Sequence, residues 1–96
     1  MVVGILQLEL TIDGSHSLKD KRRVVRSLKD RLHREHQVSV AEVGDLELHN
    51  RAHLGIAMAG SSVPTCQSTL DRVLDKLRTG RDYVLTDHRT EIPTGH

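Results

Sequence analysis

Apolar and polar residues alternate from the start of the chain, where Leu6, Leu8, Leu10 and Ile12 are separated by Gln7, Glu9 and Thr11. Successive side chains of an extended strand point to opposite faces, so residues 2 to 12 are expected to form a strand with one buried and one wet face. Asp13-Gly14 marks a turn. Ser17 stands where a helix N-cap belongs, and Asp20 three positions on makes a shortened capping box. From about residue 18 to 36 the period changes to that of a helix. Leu18, Val25, Leu28 and Leu32 fall on one stripe with Val24 on its margin, while Lys19, Arg23, Arg26, Asp30 and Arg34 face away.

Residues 38 to 43 read as a second strand of unclear parity, because Val38 and Val40 share one face and Ala41 and Val43 the other. A bulge, or partial burial of both faces, accounts for that pattern. Ala52, Leu54, Ile56 and Met58 alternate in a third strand, closed by Gly60-Ser61-Ser62. Val63, Cys66, Leu70, Val73, Leu74 and Leu77 recur at helical spacing over about 63 to 79, with Gly80 at a good C-cap position. Residues 83 to 92 form the weakest element, an edge strand, and 93 to 96 a flexible tail.

The order strand, helix, strand, strand, helix, strand describes one α+β domain over residues 1–92 with the ferredoxin-like split βαβ topology. Right-handed crossovers interleave its halves into a four-stranded antiparallel sheet, the first and third strands central, both helices on one face. The topology also carries three polar segments to one end: residues 14 to 22, residues 42 to 45, and Gly80-Arg81-Asp82. Lys21 lies within the apolar stripe of the first helix, where an ammonium must find a partner or snorkel. It is expected to reach Glu42 or Asp45 and latch the helix to the neighbouring hairpin.

Composition sharpens this picture at a few points. There is no Phe or Trp and one Tyr, so the core must be aliphatic. Stacking of bases on aromatic strand residues, as in an RNA-recognition motif, is unavailable because the matching positions are Gln7, Glu9, His53, Gly55 and Ala57. One cysteine permits no internal disulfide and no thiolate cluster. It also excludes the CxxC loop of a metallochaperone, and Cys66 sits on a core stripe. The absence of a long apolar run or a signal-like start leads to the expectation of a cytoplasmic protein without a membrane partner.

Net charge is +1, but between Lys19 and Arg34 the cations Lys19, Lys21, Arg22, Arg23, Arg26, Lys29, Arg31 and Arg34 stand against only Asp20 and Asp30. Lys19, Arg22, Arg23, Arg26 and Lys29 are therefore candidate nucleic-acid-binding residues, suited to phosphates beside a helix N-terminus, against the simpler reading of a solvated helix face.

Acylphosphatase-like chemistry lacks its arginine loop, since Gly14-Ser15-His16-Ser17 stands there. Elsewhere no paired acid and base stands out, and His16, Lys21 and Asp45 are the one set a site at the converging end could use. His33 points outward and His36 sits at the end of the first helix, while neither His49 nor His53 has a nearby thiolate or an evident carboxylate completing a metal site. The expectation is a protein that is not an enzyme, with no metal, cofactor or small-molecule substrate. Leu46 and Leu48 are read as local packing, or less readily as a partner contact. Ala41, Gly55, Ala57 and Ala59 leave the helix-free sheet face open to a homodimer or another protein.

The segment Ser17-Leu18-Lys19-Asp20-Lys21-Arg22-Arg23-Val24-Val25 resembles the YlxP-like family of small bacterial proteins, a domain-of-unknown-function family. The segments Val38-Ser39-Val40-Ala41-Glu42-Val43-Gly44-Asp45 and Arg51-Ala52-His53-Leu54-Gly55 supply its other signatures in order. Family members often carry an aromatic between the second and third strands, where this chain has Leu46, Leu48 and His49. The resemblance implies a ferredoxin-like fold and a bacterial cytoplasmic protein. It also implies relatives encoded beside translation factors, and hence RNA or a ribosomal particle as partner. It supplies no catalytic residues.

Overall fold

The computed structural model describes residues 1–93. Its elements are β1 (Val2–Ile12), α1 (Leu18–His36), β2 (Ser39–Gly44), β3 (Arg51–Gly60), α2 (Val63–Arg78) and β4 (Tyr83–Glu91). The strands form one antiparallel sheet in the order β2-β3-β1-β4. This is the βαββαβ architecture that the alternation and helical periods predict. Ile92 falls just beyond β4, and of the expected tail only Pro93 lies within the described residues.

The register explains why one sheet face is dry. Leu6 pairs with Ile56, Leu8 with Leu54 and Leu10 with Ala52, so the apolar sets of the two central strands coincide. Val25, Leu28 and Leu32 of α1 and Leu70, Val73, Leu74 and Leu77 of α2 close over them, with Val38 and Tyr83 completing the core. Burying a leucine of this kind contributes about 1.5–3 kcal/mol, so aliphatic side chains supply most of the core, and the Tyr83 ring joins them where an aliphatic core was expected.

Local chemistry starts the helices where they start. Ser17 Oγ accepts the Asp20 amide at 3.1 Å, and the Asp20 carboxylate accepts the His16 amide at 3.1 Å, a reciprocal cap built with Asp in place of Glu. Ser62 caps α2 in the same way through the Thr65 amide. Gly80 has a different role from the C-cap expected of it. Thr79 is the C-cap, and the Tyr83 ring packs where a Cβ at Gly80 would be.

Strand β2 resolves the parity problem. Val40 and Glu42 face the helices, Ala41 and Val43 face outward, and the register slips between Glu42 and Gly44. This bulge lets Val43 lie against Gly55 on the helix-free face. A second slip, between Glu9 and Leu10, interrupts the pairing of β1 with β4. No helix among the described residues is long and apolar enough to cross a membrane.

Candidate functional site

Three features carry polar chemistry: a cationic flank on α1, a buried lysine at one end of the sheet, and a polar cluster on the helix-free face.

Helical spacing puts Lys19, Arg22, Arg23 and Arg26 on neighbouring positions of one exposed flank, where with Ser27 and Asp30 they line a shallow depression. Lys29 continues the row at the margin and is half-buried. Arg23 approaches Asp20 at 4.0 Å across an exposed surface, a pairing too loose to neutralise it. Lys19, Arg22, Arg26 and Lys29 form no ion pair among the described residues. The helix N-terminus itself is taken up by Ser17 and Asp20. An anion would therefore meet side chains along the flank rather than free amides at the cap.

Lys21 is 1% exposed and among the largest fully buried side chains. Its ammonium donates to the carbonyls of Asp45 at 2.8 Å and Arg51 at 3.2 Å, with Leu46 at 3.5 Å, and lies 2.7 Å from Glu42 Oε2. The approach to Glu42 is outside hydrogen-bond alignment, so that contact is an attraction between charges while the aligned donors go to main-chain oxygens. Asp45 takes part through its carbonyl, not its carboxylate as expected. The Gly80-Arg81-Asp82 loop does not join this group. It faces Val24, Ser27 and Arg31 in the middle of α1.

His16, Lys21 and Asp45 are not assembled for acid–base chemistry. Lys21 is held by carbonyls, His16 is exposed, and the Asp45 carboxylate belongs to another group. That group is Glu9, Asp45 and His53, each half-buried, with one donor atom from each within 4.8 Å of the others. His53, expected to lack a carboxylate neighbour, has two. Glu9 and His53 face each other across β1 and β3, and the bulge at Gly44 swings Asp45 in beside them. The wet-face positions of β1 and β3 carry this signal once the strands are paired. Leu46 and Leu48, read as local packing, are exposed at 60% and 42%.

Known proteins place the chain. The model of a family described as "Protein of unknown function (DUF503)" matches residues 3–90. The chain belongs to this family. It is similar to the uncharacterized protein YlxP of Bacillus subtilis (strain 168), with 31% identity over 90 residues, covering 94% of this chain and 98% of the relative. This agrees with the family expected from the three motifs. Among solved structures, a de novo designed protein with a ferredoxin fold superposes with a TM-score of 0.59 at 17% identity, covering 99% of this chain and 89% of the other. That likeness concerns the fold alone.

Proposed function

We propose that this DUF503 protein is a non-enzymatic accessory factor of the cytoplasm that contacts structured RNA or a ribosomal particle through Lys19, Arg22, Arg23, Arg26 and Lys29. One observation carries the reading: the flank remains exposed and nearly free of acidic partners, on a molecule whose net charge is only +1. Cations fixed on a rigid helix suit a phosphate backbone, and binding of this kind draws on released counterions rather than base contacts. The helix-free face lacks the aromatics that would read bases, so recognition follows shape and charge. The association with translation implied by the family resemblance points the same way.

The test is a binding titration against structured RNA at two salt concentrations. Contacts from five cations weaken by roughly 100- to 500-fold between about 50 and 200 mM salt. Binding that ignores salt would refute the reading.

A second reading uses the helix-free face. Ile5, Ala41, Val43, Gly55 and Ala57 line an apolar trough there, and Val43 is 53% exposed. A second copy of the chain, or another protein, laid on this trough is the alternative. Its signature is a solution mass that rises with protein concentration and is insensitive to salt.

A further inference from the structure

We propose that Glu9, Asp45 and His53 form a divalent-cation site of the zinc class, open to solvent on the helix-free face. This is independent of the cationic flank, which lies on α1 across the sheet.

The argument begins with charge. Two carboxylates and an imidazole offer one donor each within 4.8 Å, and among the described residues no basic side chain forms an ion pair with either acid. Arg89 lines the same depression as Glu9 and His53, but its ion pair is with Glu91. Lys21 pairs with Glu42 and uses only the main-chain oxygen of Asp45. Asp87 stands opposite Glu9 in the β1–β4 pairing and adds a further negative charge, with His88 beside it on the rim. Like charges held this close repel unless a cation lies between them. A divalent ion balances the charges of Glu9 and Asp45 themselves.

Geometry fits the same occupant. Donors around Zn²⁺ at about 2.1 Å are roughly 3.4 Å apart, so a movement of about an ångström, within reach of the rotatable Glu9 side chain, closes the set. The imidazole is already seated: its Nδ1 lies against Gly44, where an added Cβ would come within 2.8 Å. The donor mixture excludes ions that demand thiolates, and a single imidazole with two carboxylates suits Zn²⁺ or Mn²⁺. Three protein donors leave a position for water or an outside ligand. Occupancy ties the β2–β3 loop, through Asp45, to both central strands, so metal binding and stability rise together.

The experiment titrates the metal-free chain with Zn²⁺ alone by calorimetry and follows the melting temperature in parallel. The wild type is expected to bind one equivalent and to melt higher with metal. Glu9→Gln, Asp45→Asn and His53→Ala are each expected to lose about tenfold or more in affinity together with the thermal shift. His49→Ala and the double change His33→Ala/His36→Ala are expected to keep both. The Glu9 and Asp45 substitutions preserve shape, and melting of the metal-free variants checks that they fold. Absence of binding by the wild type would overturn the proposal, and so would undiminished binding by the three site variants, which would assign the metal to other histidines.

Discussion

The Lys21 ammonium lies 2.7 Å from Glu42 Oε2, yet its aligned hydrogen bonds go to main-chain carbonyls of the β2–β3 connection. A charged group 1% exposed is tolerated in an aliphatic core only if its donors are satisfied. Here they fix the N-terminal half of α1 to the hairpin, and thereby the direction in which the cationic flank projects.

Lys21→Ala therefore removes a partner from several carbonyls and a carboxylate at once and leaves a void. The expected loss is about 3–5 kcal/mol by urea denaturation. Glu42→Gln should lose less, about 1–2 kcal/mol, because the bonds from Lys21 to the main-chain carbonyls remain. Equal losses for the two variants would mean that the ion pair, not the carbonyl cage, dominates.

Tyr83 gives a pH dependence with a clear sign. Burial pushes its phenol above the ordinary 10.0, with Arg31 opposing and Asp82 adding to the shift. The folded state thus holds the proton more tightly than the unfolded chain. Its contribution to stability is full below about pH 10 and is lost as pH rises through the folded value. Tyr83 is the only tyrosine, so phenolate absorbance of the intact protein reports it directly. The titration should lie above that of the urea-unfolded chain.

Gly80→Ala tests close approach rather than backbone freedom. A Cβ there would occupy the space of the Tyr83 ring, so the ring or the α2–β4 loop must shift. The expected destabilisation is about 1–3 kcal/mol in a denaturant titration. A neutral outcome would mean that the loop adjusts freely.

Sequence and structure part company where long-range register matters. Alternation in β1 and the apolar stripes of both helices announce their elements because burial imposes a period on them. Lys21 was conspicuous for the same reason, as a charge at an apolar angle. Its carbonyl partners were not, since main-chain oxygens carry no residue signature. The Glu9, Asp45 and His53 cluster was hidden because it depends on the pairing of β1 with β3 and on a bulge that moves Asp45 by one position. A glycine after a helix commonly serves as a cap, whereas at Gly80 a ring from the next strand decides the residue.

The flank on α1 carries the proposed function, and the double variant Arg23→Glu/Arg26→Glu addresses it with little risk to the fold. Both side chains are exposed and remote from the core, so the melting temperature should stay within about two degrees of wild type. The measurement is affinity for structured RNA at low salt, by fluorescence anisotropy, for both proteins. The account predicts at least a tenfold loss for the variant and a shallower salt dependence. Equal affinity and equal salt dependence would contradict it.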